Sequence, residues 1–334
     1  KENLIKIKPD IVYLAIGMMP LFDFSIPALC HYNKIPIAGA WHADFNNTAS
    51  SYRLLVKTIF IAYLPLVKQL DLVHVFSDKL ANFYTEKGIL RKRILVLPNG
   101  VDETFYTPGK SDFAKHHNIK RGVLFLGRLT LQKNPEILIR SFLSIDPPAN
   151  TKLILIGMGD QENYLRENYK DKRIIFTGVI TDENRKLDVM RACQISVLPS
   201  RTEGMPLALL EAMSCGLACI ASDAGSNSEL LKDAGIVIPS TKMKQELPSA
   251  LRMCLDYPEF ISLLGNKAHQ KVITDFSQET IFNRLTASFE KTIYDYQQRG
   301  FPQTKPINIA ETIGNKLIKI LNKLENLMNT DLTF

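Results

Sequence analysis

At 334 residues, 46% hydrophobic and 22% charged, the chain is too long for one ordinary core and too apolar to be disordered, so two domains are expected. No apolar run reaches the roughly eighteen residues of a membrane-spanning helix and no stretch reads as a signal peptide, which excludes spanning a bilayer but not resting on one. The formal charge of +7 favours anionic ligands or surfaces, although it does not separate nucleotide, membrane and nucleic acid, and solubility accounts for it equally well.

In chain order, residues 11–16 (IVYLAI), 35–41, 72–76 and 94–97 are short continuous apolar runs and read as buried parallel strands. Helical segments at 21–32, 51–70 and 79–87 separate them. The segment 51–70 carries Arg53, Lys57 and Lys68 among Leu54, Leu55, Ile59, Phe60, Ile61 and Leu64. It suits an amphipathic core helix slightly better than a helix resting on an anionic bilayer. His42, in Trp41-His42-Ala43-Asp44, follows the second run and so lies at a carboxyl end facing any cleft; a structural and a functional role are equally open to it. The rhythm pauses at Pro98-Asn99-Gly100, and the polar stretch 102–120, broken by Pro108 and Gly109, is the candidate interdomain linker.

A second strand and helix rhythm follows, with strands expected at 123–126, 153–156, 174–176, 195–198, 218–221 and 236–238 and helices including 135–145 and 182–192. Residues 245–296 are helical throughout, and 303–334 add one amphipathic helix with Ile309, Ile313, Leu317, Ile320, Leu321, Leu324 and Leu327 on one stripe. Two doubly wound α/β domains fit this order, and ligands of such sheets bind beyond the carboxyl ends of the strands.

The loops at those ends carry the chemistry. Gly127-Arg128-Leu129-Thr130-Leu131-Gln132-Lys133-Asn134 precedes Pro135, so a glycine and two cations stand beside a helix start, a suitable cradle for a diphosphate. A solvated turn with two surface charges is the plainer alternative. Gly157-Met158-Gly159-Asp160 lacks the third small residue of a dinucleotide fingerprint, because Glu162 stands there. Thr177-Gly178 after the next strand offers no acidic ribose reader, so an NAD site is not expected; Thr177, Gly178 and Val179 would let a flat base lie against main chain, or simply form a tight turn.

The stretch 200–216 (SRTEGMPLALLEAMSCG) reads as loop, short helix and stop, with Pro206 at the first helical position and Gly216 past the end. Glu211 lies seven residues after Gly204 and points to nearly the same side. Glu203 is compatible with an ordinary helix-start acid. Glu211 is less so, since it sits between Leu210 and Ala212 in an apolar helix and needs a hydrogen-bond partner there.

The five cysteines, Cys30, Cys193, Cys215, Cys219 and Cys254, form no C-x-x-C pair and read as reduced, mostly buried thiols, which fits a cytoplasmic compartment. Gly216 between Cys215 and Cys219 argues against a shared ligand site. No D-x-D pair occurs, and His31, His42, His74, His116, His117 and His269 lack metal spacing, so a metal-independent reaction is implied.

Taken together, VLPNGVD at 96–102, GRLTLQKN at 127–134, LIGMGD at 155–160, FTG at 176–178 and EGMPLALLE at 203–211 resemble the retaining glycosyltransferases of family 4, also called glycosyl transferases group 1, over residues 8–298. The resemblance implies the GT-B fold, two Rossmann-like domains facing a cleft. Residues 1–108 would form the acceptor-side domain, 109–275 the nucleotide-sugar domain, 276–300 a helix crossing back to the first domain and 301–334 an amphipathic extension. The first recognisable strand resembles one from the middle of its domain, and the chain opens at Lys1 without a methionine, so the opening part of that domain is expected to be missing.

By the same resemblance, Gly127 and Gly157 would be donor-binding, Arg128 and Lys133 would hold the donor diphosphate, Glu211 the ribose, and Gly178 and Val179 the base. Glu203 with Gly204, Met205, Pro206 and Leu207 would hold the donor sugar and its phosphate. Glu203, His42, Arg128 and Lys133 are the candidate catalytic residues, His42 facing the transferred sugar. The implied reaction moves a sugar, with retention, from a nucleoside diphosphate sugar to a hydroxyl of a glycan or lipid-linked acceptor, with no metal and no other cofactor. No nucleic acid partner is expected, and peripheral contact with a membrane surface is compatible. An inactive nucleotide-sugar-binding subunit and a sugar-nucleotide epimerase or hydrolase are the alternatives on the same fold.

Overall fold

The computed structural model describes residues 6–16, 23–41, 62–148 and 150–300. The expected helix at 303–334, the N-terminal half of the one at 51–70, and His42 lie outside the described residues.

Among the described residues the first sheet has four parallel strands, β1 (Val12–Ile16), β2 (Ile37–Trp41), β3 (Leu72–Val75) and β4 (Ile94–Val96), side by side in chain order. All four residues of β3 are buried, as expected for a strand covered on both faces. β1 departs from that expectation, because Tyr13 and Ala15 are exposed and alternate with more buried neighbours; among the described residues it is paired to β2 alone. Helices α1 (Ile26–Tyr32) and α2 (Asp78–Glu86) pack beside this sheet, with helical residues 62–67 supplying the fully buried Leu66 and Val67. Helix α2 starts where the Ser77 hydroxyl accepts a hydrogen bond from the Leu80 N–H.

The second sheet has six parallel strands: β5 (Arg121–Leu126), β6 (Thr151–Ile156), β7 (Ile174–Gly178), β8 (Ile195–Leu198), β9 (Ala218–Ser222) and β10 (Gly235–Ile238). Their spatial order is β10-β9-β8-β5-β6-β7, so the winding reverses between β5 and β8. The period of two splits the buried side chains between the faces. Leu124, Ile154 and Cys219 pack on one side, and Val123, Phe125, Leu153, Leu155 and Ile220 on the other. The helices α3 (Asp112–His116), α4 (Pro135–Ser144), α5 (Glu162–Asn168), α6 (Glu183–Arg191), α7 (Leu207–Ser214), α8 (Asn227–Leu231), α9 (Met243–Asp256) and α10 (Pro258–Lys271) accompany this sheet.

The stretch 102–120 is more than a linker. It contains α3, capped by the Ser111 hydroxyl, and Asp188 of α6 accepts from the Asp112 and Phe113 N–H groups at 2.8 and 3.0 Å. Arg191 of α6 donates to the Thr107 carbonyl at 2.8 Å, and the Ser214 hydroxyl to the Tyr106 carbonyl at 2.6 Å. It is a strap docked across the second sheet's helices.

After a π-helical turn at Val272–Phe276, the chain pairs with the end of the first sheet's segment: Val101 N–H donates to Phe276 O at 3.0 Å and Gln278 N–H to Val101 O at 2.9 Å. The last described helix, α11 (Gln278–Gln298), then runs back to the first sheet. Phe289 meets the Tyr13 ring at 5.3 Å, the buried Tyr296 stacks on His31, and Arg299 pairs with Asp71 at 2.8 Å. Asp71 also accepts from the Ile37 N–H at 2.9 Å and lies 3.0 Å from His31 Nε2. These bonds hold the Asp71 carboxyl below the usual carboxylate range, although burial alone would raise it.

Candidate functional site

A reversal of strand order opens a crevice beyond the carboxyl ends of the two central strands, here β5 and β8. The loops that follow them, 127–134 and 199–206, therefore flank one place although they lie some seventy residues apart.

Glycines let these loops touch. A Cβ on Gly157 would stand 2.0 Å from the Gly127 carbonyl oxygen, and one on Gly159 2.3 Å from that of Leu129. The G-x-G after β6 thus serves close packing against the loop after β5, which is fixed by Leu129 N–H to Met158 O and Gln161 N–H to Leu129 O, at 2.9 and 3.0 Å. On the other side, Gly225 adopts a left-handed φ of +56°, and a Cβ there would meet the Glu203 carbonyl at 2.4 Å.

At the centre, Lys133 Nζ donates to both carboxylate oxygens of Glu203 at 2.6 Å. The Ser200 hydroxyl donates to Glu203 Oε1 at the same distance, and the Ser200 carbonyl in turn accepts from Ser222. Only 4% of the Glu203 side chain and 18% of that of Lys133 are exposed, so this is a nearly dry ion pair. Arg128 is exposed and, among the described residues, makes no ion pair.

Two helix starts converge here. Asn134, left-handed at φ +58°, precedes α4, and Pro206 precedes α7; neither start is capped by a side chain, unlike those at Ser77, Ser111, Asp182 and Ser277. Uncapped N–H groups with the positive end of the helix dipole suit an anion. Pro206 is the residue before the helix rather than its first turn, because its ψ of 110° is extended and its carbonyl accepts from Leu209 and Leu210. Gly216 follows the helix at φ +73°, as expected. The loop before α7 is held by Ser226, which donates to the Gly204 carbonyl at 2.7 Å, and by Asn99, which reaches across from the first sheet's last loop to the Met205 carbonyl at 3.3 Å. Leu207 is half exposed at the mouth of this start.

Glu211 lies one turn deeper, with 16% of its side chain exposed. Burial raises its pKa, and Lys186 of α6, 3.3 Å away, opposes that rise. Lys186 also pairs with Glu183 at 2.8 Å and stands 5.0 Å over the Tyr106 ring, while the Tyr106 hydroxyl bonds to Glu183. Gly178, at φ +71°, faces open space and its carbonyl accepts from the Gly157 N–H; the neighbouring Val179 is 53% exposed.

The structure therefore brings Gly127, Lys133, Gly157, Glu203 and Gly204 to Leu207 around one crevice, with Arg128 at its exposed edge. Lys186, Tyr106, Ser200 and Asn99 were not anticipated from sequence. Asn99 sits in a Pro-Asn-Gly turn and Lys186 in a polar helix, where local pattern says nothing about a partner on another element. Among the described residues, no group of three His, Cys, Asp or Glu could hold a metal, and all five cysteines are free and buried.

Residues 120–256 match the family model described as glycosyl transferases group 1. The chain is 30% identical over 201 residues to an Escherichia coli UDP-Gal:alpha-D-GlcNAc-diphosphoundecaprenol alpha-1,3-galactosyltransferase, covering 55% of this chain and 51% of that protein. It is 23% identical over 239 residues to the Bacillus anthracis N-acetyl-alpha-D-glucosaminyl L-malate synthase, covering 69% and 61%. The chain thus spans about half to three fifths of the length of these curated relatives. Among solved structures, Anabaena HepE in complex with UDP superposes with a TM-score of 0.71 at 20% identity, over 87% of this chain and 81% of that one. Sucrose-phosphate synthase from Thermosynechococcus elongatus follows at 0.66 and 19%, over 88% and 76%.

Proposed function

Since residues 120–256 are a glycosyl transferases group 1 domain and the chain has the GT-B fold, we propose that it transfers a sugar, with retention and without a metal, from a nucleoside diphosphate sugar to an acceptor hydroxyl. The observation that carries this reading is the convergence at the β5/β8 crevice of Arg128, the Lys133–Glu203 pair and the uncapped start of α7, with the buried carboxylate of Glu211 behind it. Arg128 and Lys133 hold the diphosphate together with the N–H groups at the start of α7. Glu211 accepts from the ribose hydroxyls, the base rests at Gly178 and Val179, and Glu203 with the backbone of 204–207 holds the donor sugar.

In the front-face path, the bond from the sugar's anomeric carbon to the diphosphate oxygen breaks as the acceptor oxygen attacks from the same side. The acceptor proton passes to the departing phosphate oxygen. No protein nucleophile takes part, so the work of the chain is to place the reactants and to stabilise the charge that develops on the diphosphate. Two cations, the exposed Arg128 and the largely buried Lys133, with a helix dipole beside them suit that task. His42 is assigned to the transferred sugar through its family position alone. The acceptor is a glycan or lipid-linked saccharide, a class to which the name of the Escherichia coli relative points. A cytoplasmic chain working at a membrane surface fits this acceptor; no described helix is long and apolar enough to cross a bilayer.

The test is incubation with a panel of sugar nucleotides and lipid-linked saccharides, with and without EDTA, reading nucleoside diphosphate release and the anomeric configuration of the product. Acceptor-dependent release, unchanged by EDTA and giving a retained configuration, is expected. Absence of both binding and release across the panel overturns the reading. Conversion of donor without acceptor indicates an epimerase or hydrolase instead, and binding without turnover indicates a binding subunit.

A further inference from the structure

We propose that Lys186 is a positioning residue of this site: it anchors one oxygen of Glu211 from the side, so that the other is presented to the ribose hydroxyls of the nucleotide. The inference rests on the reading of Glu211 as the ribose ligand. Its basis is a set of cross-links between three separate elements. Lys186 Nζ, on α6, lies 3.3 Å from Glu211 Oε1 and 2.8 Å from Glu183 Oε2, and 13% of its side chain is exposed. Tyr106, from the strap, stands over the ammonium, bonds through its hydroxyl to Glu183, and is fixed at its carbonyl by Ser214 at the end of α7. The strap, α6 and α7 are thus joined around one carboxylate.

The chemistry explains why such a group is wanted. A ribose diol donates two hydrogen bonds, which an ionised carboxylate accepts well and a protonated one accepts poorly. Glu211 keeps 16% of its side chain exposed in an apolar helix, and burial holds its pKa above the ordinary carboxylate value even with Lys186 beside it. The charged or titratable groups facing it are Lys186 and Glu183 of α6, Tyr106 of the strap and Cys215, the residue that ends its own helix. Lys186 and the Tyr106 hydroxyl favour the ionised form, whereas Glu183 opposes it. Lys186 is itself desolvated, but Glu183, Tyr106 and Glu211 more than compensate and hold its pKa above the ordinary lysine value. It is therefore a permanent cation, with Glu183 and Tyr106 as its mount.

The experiment is calorimetric titration of the whole chain with UDP, GDP and ADP, each beside its 2′,3′-dideoxy counterpart, for wild type, Lys186→Gln and Lys186→Arg between pH 6 and 8.5. Wild type is expected to prefer the ribose form of the tightest binder by about tenfold or more at the upper end of that pH range, with a weaker dependence on pH than Lys186→Gln. In Lys186→Gln that preference falls to about threefold or less at pH 6 and recovers as pH rises, because Glu211 then ionises without its partner. Lys186→Arg retains the wild-type pattern. A purely structural role would lower affinity for both forms equally and leave the ratio flat. An unchanged ratio and flat profile in Lys186→Gln overturns this inference alone. Absence of any ribose preference in wild type overturns both it and the assignment of Glu211.

Discussion

Replacing Lys133 by Met removes the cation that lies 2.6 Å from both oxygens of Glu203 and leaves a carboxylate of which 4% is exposed. Breaking a buried pair from one side costs about 3–5 kcal/mol. Lys133 keeps 18% of its side chain in solvent and Ser200 still donates to Glu203, so the expected loss is at the low end of that range, about 3 kcal/mol. Glu203→Gln in the same background removes the stranded charge while keeping an acceptor for Ser200. The double variant is therefore expected to recover about 1–2 kcal/mol relative to the sum of the two single changes. Urea unfolding followed by far-ultraviolet circular dichroism measures this cycle, with the slope checked for constancy because the chain contains two sheets. Nucleotide supplies a second readout: a ligand bound only to the folded state raises the midpoint in proportion to RT ln(1 + [L]/Kd), a gain that Lys133→Met should largely lose. Strict additivity of the two single changes, or an equal gain from nucleotide in wild type and Lys133→Met, refutes the claim that this pair is the site's electrostatic centre.

Gly157→Ala is expected to cost about 2–4 kcal/mol, since its Cβ would stand 2.0 Å from a backbone oxygen of the neighbouring loop at a φ of +136°. Gly178→Ala, with open space around it and only its φ of +71° to strain, should cost about 1–2 kcal/mol; equal losses of thermal stability in the two variants contradict the packing argument. At the first sheet, the Asp71 carboxyl is held below its ordinary value by His31, the Ile37 N–H and Arg299, against the opposing effect of burial. A group depressed on folding contributes stability above its unfolded value of about 4, which is lost as pH falls through the folded value. Asp71→Asn should therefore lower stability at neutral pH and flatten the acid limb below about pH 4, and parallel acid limbs for the two proteins would count against this role.

Much of the second sheet was legible because its strands are buried on both faces and so read as unbroken apolar runs bounded by glycine. The ends of those runs located the loops, and Gly216 marked the stop after α7, whereas the close packing of Gly157 and Gly159 on the loop after β5 was not legible in their spacing. What stayed hidden depends on relations between elements. Tyr13 and Ala15 belong to a run as apolar as the others, yet they are the exposed positions of β1, and the contact of the Tyr13 ring with Phe289 comes from α11, near the far end of the described chain. Residues 102–120 read as a free polar linker, yet their backbone at 107, 112 and 113 and the Thr107 and Ser111 side chains bond to α6, and composition does not separate those cases. Glu203 and Lys133 were each assigned to the site, but the bond between them spans 70 residues and is set by the winding of the sheet. Lys186 carried no local signal at all, since an i,i+3 partner such as Glu183 is ordinary on a helix surface.

The central claim is that a nucleoside diphosphate sugar binds at the β5/β8 crevice with Glu211 on its ribose. A crystal structure of the chain soaked with the sugar nucleotide that binds most tightly tests it most directly. The account predicts the diphosphate between Arg128, Lys133 and the backbone at Leu207, the ribose hydroxyls within about 3 Å of Glu211, and the base against Gly178 and Val179. A nucleotide bound elsewhere, or one in this crevice whose ribose leaves Glu211 paired to Lys186 alone, would contradict it.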